Sequence, residues 1–225
     1  MDKKRIIANW KSNKSAEETI LFLDSLQVAW NELPTENKEV IILPSFASLS
    51  AAYVYRETEG LPVRLGAQNI SSNESGAYTG EVSGSQISEF CEFVLINHSE
   101  RRRYNHETDQ DARSKVLQAI KYNLTPLYCI QDENAAIPDS ITEVMYEPPS
   151  SISTFQEDAA VSEESEIERV FSVVTQRYPN AHLYYGGSVK PENVAKLAAI
   201  PGIAGFLIGG ASLEVDVFAD ILQAF

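Results

Sequence analysis

Arg5-Ile6-Ile7-Ala8-Asn9-Trp10-Lys11 is a short apolar run that ends abruptly in polar residues, with no glycine after it. A buried parallel strand reads this way, continuous rather than alternating. Similar runs begin near Glu39 (EVIIL), Val63 (VRLGA), Glu92 (EFVLIN), Leu124 (LTPLYCI), Ile141 (ITEVMY), Ala181 (AHLYYG) and Ile203 (IAGFLIG). The eight starts lie about 28 residues apart on average, the size of one βα unit. Helical periodicity fills the gaps. Ser15 to Glu32 opens with a capping serine and the acids Glu17 and Glu18, then repeats Ile20, Leu23, Leu26 and Trp30 at helical spacing. Ser162 to Tyr178 and Ala211 to Phe225 read likewise. Eight such units predict an α/β fold, a closed (β/α)8 barrel formed by residues 1–225 as one domain, with no linker or composition shift to divide it. A doubly wound open sheet would carry a glycine-rich turn after its first strand, where this chain has Asn9-Trp10-Lys11.

One unit is short. Between the fifth and sixth strands only the eleven residues Ile130 to Ser140 remain to cross the wall, and Pro138 interrupts them. The fifth helix is expected to be shortened or missing, leaving apolar wall uncovered.

The chain has 18 basic and 32 acidic residues, a net charge of −14. Such a surface repels nucleic-acid phosphates and anionic lipid heads, so neither is expected as a partner. An anionic substrate would need local positive potential inside a cleft. Cys91 and Cys129 are read as free buried thiols rather than a bridge. The first residues contain no apolar stretch of signal or membrane-span length, which predicts a cytoplasmic protein.

In a barrel of this kind the active site lies at the C-terminal ends of the strands. Those positions hold Asn9 and Lys11, Asn97-His98-Ser99-Glu100-Arg101-Arg102, Glu147-Pro148, Tyr185-Gly186-Gly187-Ser188-Val189, and Gly209-Gly210-Ala211-Ser212-Leu213. Taken singly each has an ordinary reading. Lys11 is a solvated lysine, His98 a structural histidine, Glu147 a loop acid, the arginines partners of nearby acids, and the glycine pairs tight turns. Together they make a set. Gly209-Gly210 before a helix, with Gly187 and Ser188 on the neighbouring strand, can cradle a phosphate through backbone N–H groups. Glu147 as base, His98 as neutral donor and Lys11 as cation suit proton abstraction beside a carbonyl. The three histidines show no metal-ligand spacing, and no nucleophile elbow occurs; neither metal nor cofactor is expected.

Several motifs, in order along the chain, resemble the triosephosphate isomerase family. They are N-W-K-x-N at Asn9 to Asn13, A-Q-N at Ala67 to Asn69, G-A-Y-T-G-E at Gly76 to Glu81, N-H-S-E-R-R at Asn97 to Arg102, Y-E-P at Tyr146 to Pro148, and the two glycine-rich turns. The resemblance implies a TIM barrel that interconverts dihydroxyacetone phosphate and glyceraldehyde 3-phosphate. By the family's established roles, Glu147 is the shuttling base and His98 the neutral electrophile. Lys11 would stabilise developing negative charge, Asn9 orient it, and Glu100 support Lys11 or the proton relay. Ser153, Gly187, Ser188, Gly209 and Gly210 would hold the phosphate. Glu81 would pair with Arg101. The Thr79 loop would reach the partner subunit's Asn9 and Lys11 in a homodimer, and the short fifth unit raises a tetramer as the alternative. The lid after Glu147 departs from the family, with Ser150 at its aromatic position and Ser153 and Phe155 at its glycines. Gln131-Asp132 also replaces the usual glycine-glutamate pair. Other phosphate-binding barrel enzymes, such as an aldolase or a tryptophan-pathway isomerase, and an inactive relative with a binding role stand as the competing functions.

Overall fold

A computed structural model describes residues 4–151 and 162–225. Eight parallel strands close into a barrel in sequence order: β1 Lys4–Asn9, β2 Lys38–Leu43, β3 Arg64–Ala67, β4 Phe93–Ile96, β5 Thr125–Ile130, β6 Glu143–Tyr146, β7 His182–Tyr185 and β8 Ile203–Ile208. The closing pair is β8 on β1, with Ala8 beside Ile208. Around them run α1 Ala16–Trp30, α2 Phe46–Glu59, α3 Gly84–Ile87, α4 Ser99–Tyr104, α5 Asp109–Lys121, α6 Glu164–Arg177, α7 Pro191–Ala198 and α8 Val215–Ala224.

Why the strands lack polar alternation is now visible. Successive side chains point to opposite faces, and both faces are buried. Ile7, Ile41, Leu95, Leu127, Met145 and Leu207 fill the barrel's interior. Their neighbours Ile6, Ala8, Ile42, Ile96, Tyr128, Val144 and Phe206 pack between barrel and helices. Gly205, at φ 154° in β8, lies where an added Cβ would fall on the Arg5 carbonyl, so β1 and β8 meet only because that side chain is absent.

The helix boundaries differ from expectation at two places, each for a local reason. Ser15 caps α1 as expected, its hydroxyl taking the Glu18 N–H while Glu18 accepts the Ser15 N–H. Ser162 does not begin α6. Its N–H donates to the Tyr185 hydroxyl at 3.1 Å and its own hydroxyl meets that of Ser151 at 2.9 Å. After β8, Gly210–Ser212 forms one turn of 3-10 helix, and α8 starts only at Val215. The Ser212 hydroxyl returns to the Gly209 carbonyl at 2.7 Å, and the Trp10 indole takes the Ser212 carbonyl at 3.1 Å, which holds that turn apart from α8.

No helix stands between β5 and β6, as the short spacing predicts. The expectation that this leaves apolar wall uncovered is wrong. Every residue of β5 after Thr125 is buried, and the crossing buries Ile137 and Ile141 in the same apolar cluster as Tyr128 and Ile130, with Ala135 packed against it. The Ile137 N–H donates to the Tyr178 hydroxyl at 3.2 Å, Arg169 pairs with Glu133, and Arg177 takes the Glu133 carbonyl. An extended segment with three apolar side chains does the covering that a helix would do.

The opposite, N-terminal mouth is closed by charge. Glu143, buried at the start of β6, receives Arg5 from β1 at 2.6 Å, the Tyr184 hydroxyl at 2.5 Å and His182 from β7 at 3.1 Å. Arg5 also binds Glu39 at 2.5 Å. Burial alone would raise the Glu143 carboxyl, but Tyr184, His182 and Arg5 outweigh it and hold it below the usual carboxylate range.

Candidate active site

Carried past the strand ends, the two-residue period places the next inward side chains in the C-terminal mouth. Asn9 follows Ile7, Glu147 follows Met145, and Gly209 follows Leu207. On β4 the period would aim Asn97 inward after Leu95. Instead Asn97 turns into the left-handed region, φ 64°, and its side chain is drawn sideways to the Cys129 carbonyl at 2.8 Å and Arg102 at 2.7 Å. The turn brings His98 to the mouth as the N-cap of α4.

Lys11 has the same unusual backbone, φ 52°. A non-glycine residue there is strained, and strain of this kind persists only where its surroundings enforce it. Here they do. The Lys11 N–H donates to Asn9 at 3.1 Å, and Gln68 binds both the Lys11 and Leu43 carbonyls at 2.8 Å. The ammonium lies 2.6 Å from Glu100.

His98 and Glu147 form the centre. The His98 Nε2 lies 2.9 Å from a Glu147 carboxylate oxygen and 3.3 Å from the Asn9 amide. On the other side of the ring the Glu100 backbone N–H donates to Nδ1 at 3.3 Å. A nitrogen that accepts an N–H carries no proton, so this contact favours the tautomer with its hydrogen on Nε2. Both side chains are buried. Burial pushes the Glu147 carboxyl up, but the adjacent imidazole outweighs it and keeps the carboxyl below its ordinary range. Burial likewise pushes His98 down, and the facing carboxylate reverses the sign. The Ser99 N–H points at the second Glu147 oxygen at 3.4 Å. Glu147 owes its room to Gly186, where a Cβ would stand 2.9 Å from the Glu147 Cγ.

One cavity is lined by Asn9, Lys11, His98 and Glu147 on one side and by Gly187, Ser188, Gly209 and Gly210 on the other. The helix-end reading of Gly209-Gly210 needs one correction: the short 3-10 turn, not α8, follows them directly. Glu100 lines the adjoining groove and touches this cavity through Lys11. Of the expected phosphate residues, Ser153 lies outside the described residues, as do Phe155 and the side chain of Ser150. Arg101 takes Glu107 within the chain rather than Glu81, which is exposed. Ser151 and Lys190 line the cavity although the strand-end reading did not single them out. Lys190 stands only two residues beyond Ser188, and a reading extended that far would have reached it. Ser151 had no local signal, because its role is long-range: its carbonyl accepts the Ser188 hydroxyl at 3.1 Å.

Among the described residues no group of three or more histidines, cysteines or acids could hold a metal ion, and no helix is long and apolar enough to cross a membrane. The cavity offers a buried carboxylate, an imidazole donor and a cation together with the backbone of Gly187, Ser188, Gly209 and Gly210. This suits proton transfer next to a carbonyl on a small phosphorylated molecule.

Comparison with known proteins agrees. The family model for triosephosphate isomerase matches residues 4–144 and 135–225. Triosephosphate isomerase from Nostoc punctiforme is 36% identical over 241 residues, covering 97% of this chain and 96% of that one. The Streptomyces avermitilis enzyme is 32% identical over 244 residues, covering 96% and 95%. The crystal structure of triosephosphate isomerase from Bartonella henselae superposes with a TM-score of 0.81 at 26% identity, covering 99% of this chain and 98% of that one. On the family model and on relatives matched over nearly their whole length, this chain belongs to the triosephosphate isomerase family.

Proposed function

We propose that this chain interconverts dihydroxyacetone phosphate and glyceraldehyde 3-phosphate, with Glu147, His98 and Lys11 as its catalytic residues. The observation that carries the assignment is that these three side chains and the Ser188 and Gly209-Gly210 donors line one cavity. The phosphate sits against the donors, which places the triose carbons beside Glu147 and the carbonyl oxygen beside His98 and Lys11. Glu147 takes a proton from the carbon next to the carbonyl. The electron pair moves onto the carbonyl oxygen, giving an enediolate whose charge Lys11 stabilises. His98, through Nε2, gives a proton to one oxygen and recovers one from the other. Glu147 then returns its proton to the neighbouring carbon, so nothing is gained or lost overall. Asn9 orients His98 from 3.3 Å, and Glu100 holds Lys11 by its carboxylate and His98 by its backbone N–H.

Family membership disfavours the aldolase, tryptophan-pathway and inactive-relative readings. A coupled assay with glyceraldehyde 3-phosphate tests the activity. Turnover is expected from the wild type, and its absence from the purified chain would refute the assignment.

The assembly we infer is a homodimer through the Thr79 loop, in the cytoplasm where triose phosphates are processed. Support comes from two surfaces that a single chain leaves open. The loop from Gly76 to Gly80 is exposed, with Tyr78 at its tip. A groove lined by Phe46, Gln68, Tyr104 and Asn105 runs into Asn9, Lys11 and His98, so an inserted loop would brace the catalytic wall.

A further inference from the structure

A triose phosphate carries close to two negative charges at neutral pH. It must enter a protein of net charge −14. Inside the cavity Lys11 is matched by Glu100 at 2.6 Å, and the Glu147 carboxylate faces a neutral His98 at 2.9 Å. The catalytic residues therefore offer little net attraction to an incoming dianion.

Lys190 is placed differently. It lines the same cavity as Ser188, Gly209 and Gly210, at the solvent side, and is exposed. Among the described residues no carboxylate lies within ion-pair distance of it. Its backbone is fixed from three directions. The Lys190 N–H donates to the Asn193 side chain at 2.8 Å, and the Asn193 amide returns to the Ser188 carbonyl at 2.8 Å. The Val189 N–H donates to the Gly187 carbonyl at 2.8 Å, and Pro191 opens α7 immediately after. The turn that presents the Ser188 donor thus also fixes the root of the lysine, leaving its four-carbon stem free to reach over the mouth.

We propose that Lys190 is a substrate-binding residue that captures the phosphate at the mouth of the cavity and contacts it on the side opposite the backbone donors. This rests on the isomerase reading above and adds to it the step by which an acidic protein admits a dianion. Attraction of this kind acts on encounter and binding, and salt weakens it over a Debye length of about 10 Å at 0.1 M.

The test compares Lys190→Gln, Lys190→Arg and Lys196→Gln with the wild type. Lys196 is exposed on α7 and paired with Glu164, so its loss changes net charge equally while leaving the cavity alone. Steady-state kinetics with glyceraldehyde 3-phosphate and inhibition by inorganic phosphate are measured at low and high salt. Lys190→Gln is expected to lower kcat/KM about five- to tenfold at low salt, chiefly through KM, and to weaken phosphate inhibition by a similar factor. High salt should close most of the gap, Lys190→Arg should restore both values, and Lys196→Gln should match the wild type. The proposal is overturned if Lys190→Gln matches Lys196→Gln at low salt, or if its defect lies in kcat and persists at high salt. A wild type without turnover would refute the isomerase reading alone, and calorimetric titration of the same variants with inorganic phosphate would still decide the role of Lys190.

Discussion

Glu147 and His98 share a burial that neither would tolerate alone, and each shifts the other. This coupling sets the acid limit of activity. With Glu147 held below the usual carboxylate range and His98 raised by the same pairing, kcat/KM should fall on the acid side as His98 takes up a proton and ceases to be a neutral donor, while Glu147 is still ionised. In His98→Gln that titration is gone, and the acid limb that remains, at a lower rate, should belong to Glu147 alone. A pH profile of kcat/KM for the two proteins reads the change, and an unchanged limb would mean that His98 protonation does not set it. Glu147→Asp keeps the charge but withdraws it by about 1 Å, a misplacement that can cost on the order of a hundredfold. The loss should appear in kcat with little change in KM, and near-normal turnover would remove Glu147 from its role. Glu147 was legible in the sequence because it stands directly after an apolar strand, at the end where a barrel of this kind carries its active site. His98 was legible only as a strand-end histidine, since the left-handed turn at Asn97 that aims it depends on Cys129 and Arg102, one of them on another strand.

Among the elements, the crossing between β5 and β6 shows what sequence pattern conveys and what it hides. Its length predicted the missing helix. That it still covers the wall depends on Ile137 and Ile141, which have no periodicity to mark them, and on partners Tyr178 and Arg169, some forty residues away. Ile137→Ala should therefore destabilise like a core truncation, by about 2–4 kcal/mol in denaturant unfolding. A loss below about 0.5 kcal/mol would show that the segment lies loosely on β5. The floor of the barrel was wholly illegible, since Arg5, Glu143, His182 and Tyr184 meet only when β1, β6 and β7 come together. Glu143→Gln removes one of the two carboxylates that hold Arg5, Glu39 remaining, and should cost about 2 kcal/mol at neutral pH. The pH dependence has a definite sign. The folded carboxyl is depressed, so its contribution is complete above the unfolded value near 4.5 and is lost as pH falls through the folded one. Wild type and variant should thus converge in stability only as pH falls below that depressed folded value, and a gap independent of pH would mean that the charge is irrelevant there.

For the molecule as a whole, the covered β5 wall removes the ground on which a tetramer was expected, while the Thr79 loop and its matching groove remain exposed. Each chain is 24.9 kDa, so sedimentation equilibrium should report a species of about 50 kDa, twice one chain, and nothing heavier as concentration rises. The groove shares Asn9, Lys11 and His98 with the catalytic cavity, so in the proposed dimer a loop seated in it would press on the residues that hold the strained turn at Lys11. A charge at the loop tip, Thr79→Glu, would be forced toward Glu100 in the partner's groove and should split the dimer. Activity should fall with dissociation, because a monomer leaves one side of the Lys11 turn unsupported. Plotted against protein concentration, specific activity of Thr79→Glu should rise where sedimentation shows dimer reforming. A monomer as active as the dimer would mean that Asn9 and Gln68 hold Lys11 unaided, and a heavier wild-type species would return the search for an interface to the outer helices.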